Sequence, residues 1–133
     1  NTPKGKKFGF VFLDCTIIAD SAVNKVYLGR PWRAFSKTVF VRCDLPVSIA
    51  AEGWHNWDNP ENEKTVFYAE YKCTGNGAGS SSRVKWSKQL TDKEAKEYTV
   101  ENIFSDFYLY DAQQSDWHYT IRSKIFQWPA EKK

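Results

Sequence analysis

The sequence predicts an all-β fold, a solenoid in which each turn stacks a strand on the last, and three observations carry that prediction. The segments "VFLDC" (11–15) and "VFVRC" (39–43) share the pattern V-F-x-x-C at a spacing of 28 residues. A looser copy, "VFYAEYKC" (66–73), sets its Val 27 residues after the second and its Cys 30 after. All three copies sit in short runs of β-branched and aromatic residues, the types that fit a pleated surface, and polar or turn-forming residues follow each. A recurrence of this length is the mark of units that bury their apolar face only by stacking on neighbours.

In chain order, residues 8–18 ("FGFVFLDCTII"), 38–43 ("TVFVRC") and 65–72 ("TVFYAEYK") read as strands. Their near-continuous apolar character suits parallel strands covered on both faces. Between them run long turns, "LPVSIAAEGWHNWDNPENEK" and "TGNGAGSSSR", the second so rich in Gly and Ser that it is loop. One stretch reads helical, "TDKEAKEYTVENIF" (91–104), with Thr91 as N-cap and Glu94 three residues on, a capping box. That short helix covers the end of the stack. From 105 the chain is aromatic without period and is expected to pack along the outside, with its last residues frayed. The expected organisation is a solenoid over residues 1–104 and a tail over 105–133.

Composition narrows the function classes. A formal charge of +3 is too slight for a nucleic-acid partner, which asks for clustered Lys and Arg. No run of about 18 apolar residues exists to span a membrane. The first ten residues lack the apolar core of a signal peptide, which leaves the compartment open. Aromatics make up 17% of the chain, including six Trp, enough both for core mass and for flat platforms on which sugar rings stack. Cys15, Cys43 and Cys73 cannot all pair within one chain and form no C-x-x-C motif. Cys15 and Cys43 would stack one strand spacing apart, about 4.8 Å, within reach of a disulfide; small buried thiols are the expected state.

The common catalytic arrangements are not supported. His55 and His118 lie in different regions, and no G-x-S-x-G elbow presents a serine. Glu52, His55 and Asp58 are close in sequence, but "EGWHNWD" has no metal-ligand spacing and reads as a polar loop packed by its tryptophans; no metal and no cofactor is expected. "GNGAG" lacks the Lys and the strand-to-helix context of a phosphate loop. "YLGRPW" (27–32) is different in kind. Gly29 allows close backbone approach, and Pro31 pushes Arg30 toward extended geometry. In an extended run Arg30 and Trp32 share a face. A guanidinium is a permanent, planar fork matched to a carboxylate, either a catalytic Asp or an acidic sugar. The competing reading is a structural Arg–Trp stack.

At this point the order of motifs becomes informative. "YLGRPW", then Ser36, Thr38 and Val39 within "AFSKTVF", then "GWHNWD", "TVFYAEY" and "TGNGAGSSSRVKW" together resemble the C-terminal part of the pectin methylesterases, the pectinesterases of carbohydrate esterase family 8. That family carries L-G-R-P-W, G-W-x-x-W and T-G-x-G-A-x-x-x-x-R-V-x-W in this order. "GFVFLDCTI" resembles the strand just before them, so the likeness covers residues 8–104. It implies a right-handed parallel β-helix, of which this chain is the C-terminal coils with a short helix and tail. It implies hydrolysis of methyl esters of galacturonic acid in pectin (homogalacturonan), by one Asp as nucleophile, a second as general acid and base, and glutamine amides on the oxyanion. By position, Arg30 is the arginine that hydrogen-bonds the nucleophile, Trp32 packs on the sugar, and Trp54 is a further aromatic lining the cleft. An arginine there keeps the carboxylate ionised and oriented. A secreted or periplasmic home follows from the location of pectin.

The chain departs from that pattern in one respect. The family's two aspartates lie in Q-D and D-F-I-F-G segments before L-G-R-P-W, and only Asp14 and Asp20 precede Arg30 here. "DFYLY" (106–110) follows the arginine and is rejected as the nucleophile segment. The expectation is a pectinesterase fragment that contributes Arg30 and cleft tryptophans, lacks both catalytic aspartates and is inactive alone. The alternative is a non-catalytic solenoid module that binds acidic polysaccharide. The strand at 8–18 then carries an exposed coil edge, through which the chain is expected to self-associate.

Overall fold

The computed structural model describes residues 2–105. Four strands, β1 (Phe10–Leu13), β2 (Lys37–Val41), β3 (Phe67–Tyr71) and β4 (Lys88–Gln89), form one parallel sheet in sequence order. Val11 lies opposite Val39 and Phe12 opposite Phe40, so the 28-residue step of the V-F-x-x-C repeat is the register itself. From β2 to β3 the step is 30 residues, Lys37 opposite Phe67 and Val39 opposite Ala69. The third copy is therefore anchored by its cysteine, and Val66 is not the partner of Val39.

The strands are shorter than the apolar runs that announce them, for a backbone reason. Asp14, Arg42 and Lys72 adopt φ of 52°, 53° and 46°, a left-handed bend at the same place in three successive turns. The bends stack: the Asp14 amide donates to the Val41 carbonyl at 2.9 Å and the Arg42 amide to that of Tyr71 at 2.7 Å. Past the bend the parallel ladder resumes through Thr16, Asp44 and Thr74. The three cysteines stand just after it, all as free thiols. Cys43 Sγ reaches the Phe12 carbonyl at 3.4 Å and Cys73 Sγ that of Phe40 at 3.6 Å, each back to the preceding strand.

Alternation along the strands gives the sheet two covered faces. Inward, Phe12 stacks flat on Phe40, with centroids 4.4 Å apart, above a core of Cys43, Leu45, Ile49, Trp54 and Tyr68. Outward, Val39, Val41, Ala69 and Leu90 pack with Leu13, Phe67, Tyr71 and Tyr98. A second parallel ladder closes the turns on another side, pairing Val26 with Ile49 and Gly29 with Trp54. These two aligned ladders are what a solenoid of stacked turns requires.

Two stretches differ from expectation. The long connection after β2 contains a helical turn, α1 (Pro60–Glu63), with Asn59 capping the Glu61 amide and Pro60 at its first position. The helix expected over 91–104 is instead two short ones, α2 (Asp92–Ala95) and α3 (Val100–Ile103). The Thr91–Glu94 capping box is present at α2. The break falls where the Tyr98 ring packs edge-on against Phe8, at 5.5 Å, and Thr99 opens a new cap onto the Asn102 amide. A second compact unit begins at Thr99. The tail expected over 105–133 lies, Ser105 apart, outside the described residues. No helix among the described residues is long and apolar enough to cross a membrane.

Candidate functional site

Arg30 is presented by the second ladder. The Leu28 amide donates to the Gly53 carbonyl at 2.7 Å and the His55 amide to that of Gly29 at 3.2 Å, which fixes "YLGR" alongside "GWH". Gly29 is required by close approach: a Cβ there would stand 3.1 Å from Trp54 Cζ3. Beyond it the Pro31 carbonyl accepts from the buried Asn62 side chain at 3.2 Å, and the same amide nitrogen reaches the Asn56 carbonyl. α1 thereby clasps both the Arg30 segment and the loop that carries Trp57.

The result is an arginine held among aromatic rings. The Arg30 guanidinium carbon lies 5.6 Å from the Tyr27 ring and 5.2 Å from the Trp57 ring, cation–π distances. Trp32 meets the same Trp57 ring at 5.6 Å, tilted by 49°. Trp32 is 71% exposed and Trp57 48%, so both offer indole surface to solvent. Arg30 and Trp32 thus converge on Trp57. Among the described residues no carboxylate forms an ion pair with Arg30. Lys25 stands over Tyr27 at 5.5 Å and 3.5 Å from Glu52. Its hydrogen bond to Tyr27, then the charge of Glu52, raise its pKa.

Trp54 does not fit the cleft-lining position expected of it. It is 1% exposed, with its ring 4.5 Å from Tyr68 and 5.9 Å from Phe40 in the core. The physical reason is the ladder: opposite Gly29, its indole fills the volume that the absent side chain leaves. Trp57, three residues on, takes the exposed place. Its signal in the sequence was the turn-rich "HNWDNP", since Trp57 and Asp58 both take positive φ, 62° and 53°, and turn the indole back over Arg30. Tyr27 and His55 were likewise missed; their rings lie 5.0 Å apart.

Arg83 supports this arrangement from inside. Both Glu70 oxygens accept from it, at 2.8 and 2.9 Å, and the carbonyls of Ala50, Ala51 and Gly77 take its other three N–H groups. The pair is 4% and 2% exposed. Gly53, at φ 70°, makes room, since a Cβ would fall 2.4 Å from Arg83 Cδ. The aspartates that precede Arg30 are engaged elsewhere. Asp14 holds Arg42 through two 2.6 Å bonds, which keep its carboxyl below the usual range, and Asp20 accepts the Ala22 amide. Glu52 faces Lys25, and among the described residues no three His, Cys, Asp or Glu gather to hold a metal ion.

Parallel turns stacked in sequence order, carrying Arg30 beside two exposed indoles, define the class of the chain as a parallel β-solenoid. Known proteins make the class specific. The family model "Pectinesterase" matches residues 1–106. Pectinesterase 31 of Arabidopsis thaliana is 43% identical over 98 residues, 74% of this chain and 31% of its own length. A pectin methylesterase from carrot superposes with a TM-score of 0.73 at 30% identity, covering 88% of this chain and 40% of that one. A pectin methylesterase solved in complex with a hexasaccharide matches 77% of this chain and 36% of its own, at 28% identity and a TM-score of 0.55. The chain belongs to the pectinesterase family. It spans about a third of the length of such relatives.

Proposed function

We propose that this chain supplies the arginine–aromatic part of the substrate cleft of a pectinesterase that hydrolyses methyl esters of galacturonic acid in pectin. The observation that carries the reading is Arg30, held over Tyr27 and Trp57 beside exposed Trp32, with no carboxylate partner among the described residues. An unpaired guanidinium on an aromatic bed is suited to receive a nucleophilic carboxylate from another segment and hold it ionised. Trp32 and Trp57 take the sugar face, and Trp57 replaces Trp54 in that role. The hexasaccharide complex of a relative supports an extended saccharide as the ligand. The parent enzyme acts where pectin is, outside the cell or in the periplasm. The 133-residue chain alone is inactive, because neither Asp14 nor Asp20 is placed as a nucleophile beside Arg30. The turns extend as a right-handed β-helix, and β1 is an edge that pairs with a further strand.

A second reading, a non-catalytic galacturonan-binding module, is favoured by the same exposed indoles. One experiment separates the two. The purified chain is incubated with methyl-esterified galacturonan, methanol is measured, and retention on immobilised galacturonan is followed for three variants. The enzyme reading expects no methanol and about tenfold weaker retention for Trp32→Ala and Trp57→Ala, roughly 1.4 kcal/mol each. It expects little change for Arg30→Ala, whose partner is a carboxylate of the enzyme. Weakening by Arg30→Ala comparable to that of the indoles favours the module. Robust methanol release overturns the inactivity of the chain.

A further inference from the structure

His55 is neither the guanidinium nor an indole of the proposed cleft, yet it stands where the aromatic cluster is held together. Its Nδ1 accepts the Trp57 backbone amide at 3.0 Å, which leaves the imidazole proton on Nε2. Trp57 and Asp58 are consecutive non-glycine residues at positive φ, a conformation that persists only where surrounding contacts impose it. For Trp57 those contacts are the His55 acceptor, the Arg30 guanidinium and the Trp32 ring. The imidazole also lies against Tyr27, the other ring beneath Arg30.

We propose that His55 is a positioning residue: its neutral imidazole fixes Trp57 and, through Trp57, Arg30, so that protonation of His55 loosens the sugar-facing cluster. Histidine is the side chain that ordinarily exchanges its proton between pH 5 and 8. An imidazolium carries N–H at both ring nitrogens and accepts nothing, so the Trp57 amide loses its partner on the acid side. The new charge also meets its surroundings unevenly. Arg30 and Lys25 both stand on Tyr27 and repel it. Asp58 Oδ1, 3.8 Å from Nε2 on the same loop, attracts it. The remaining carboxylates are engaged, Glu52 with Lys25 and Glu63, on α1, with the Asn56 amide at 2.7 Å. Protonation thus removes the acceptor at residue 57 and recruits residue 58, and both changes act on the strained bend.

The functional consequence rests on the reading that Trp32 and Trp57 face galacturonan, but the positioning role is tested without sugar. The probe is the Trp57 amide and indole signals of the ¹⁵N-labelled full chain between pH 5 and 8, assigned with Trp57→Phe. In the wild type they shift with one midpoint shared with the His55 imidazole, and the amide exchanges at least fivefold faster on the acid side than base-catalysed exchange predicts. His55→Asn keeps an acceptor two residues before the amide, as Asn56 does for Asp58 at 2.9 Å, so its Trp57 signals stay at the neutral-side position throughout. His55→Ala holds them at the acid-side position at every pH. Trp57 signals that do not move in the wild type, or that titrate alike in His55→Asn, overturn the proposal. A second arm measures galacturonan retention across the same pH range. A loss of retention on the acid side in the wild type alone supports the role in binding. A titrating Trp57 with constant retention upholds the positioning and overturns the sugar-facing reading.

Discussion

Arg83 uses all five of its N–H donors within the fold, two on Glu70 and three on backbone carbonyls. Removing it leaves a buried carboxylate without its partner, a far larger loss than the net value of the intact pair. Arg83→Met is expected to cost about 3–5 kcal/mol in urea unfolding, and the double change with Glu70→Gln to recover part of that. Cys43 is buried at the bend, and that burial pushes its thiol pKa up to about 11. An unfolded thiol ionises near pH 8.5, so between about 8.5 and 11 the folded state keeps a proton that the unfolded state gives up. Stability therefore falls as pH rises through that window. The wild type should lose more stability from pH 8 to pH 10.5 than Cys43→Ala does, and Cys43 should resist thiol reagents at pH 8 until the chain is unfolded. Equal slopes for the two proteins would remove this account.

The element that organises the coils is the stacked bend. Asp14, Arg42 and Lys72 share one left-handed conformation, and the Asp14 and Arg42 amides each donate to a carbonyl of the next turn. The Asp14–Arg42 ion pair at this corner is about half exposed and adds little, so the backbone, not the charge, dictates what the position tolerates. Left-handed geometry costs an L-residue roughly 1–2 kcal/mol. Arg42→Gly is expected to unfold within about 1 kcal/mol of the wild type, because relieved strain offsets the lost pair and the added chain entropy. Arg42→Val, β-branched and unsuited to positive φ, should fall clearly below both. At α2 the Thr91–Glu94 box was legible because its residues act within one turn. The break after it was not, since it follows from Tyr98 packing against Phe8, ninety residues away in sequence.

At the scale of the molecule, β1 has β2 on one side and no strand on the other among the described residues. Phe10, on the inward-facing side, is 63% exposed, and Ile18 beyond the bend is 89% exposed. Unpaired strand edges with apolar side chains invite another chain. The purified chain is expected to scatter light as a concentration-dependent oligomer, and Phe10→Lys to shift it toward monomer. A clean monomer at high concentration would count against the exposed edge as a pairing surface.

The sequence by itself determined the all-β class, the parallel stacking and the register of the first two strands, because a solenoid writes its period directly into the spacing of V-F-x-x-C. It also marked Arg30 as a residue aimed by its backbone, because glycine and proline act locally. Only the tertiary structure decided which tryptophan is which. Trp54 and Trp57 are alike as residues, but one faces Gly29 across a ladder and the other follows a left-handed bend onto Arg30. Burial is set by what lies opposite in the neighbouring turn, and that neighbour is some 25 residues away, Gly29 for Trp54.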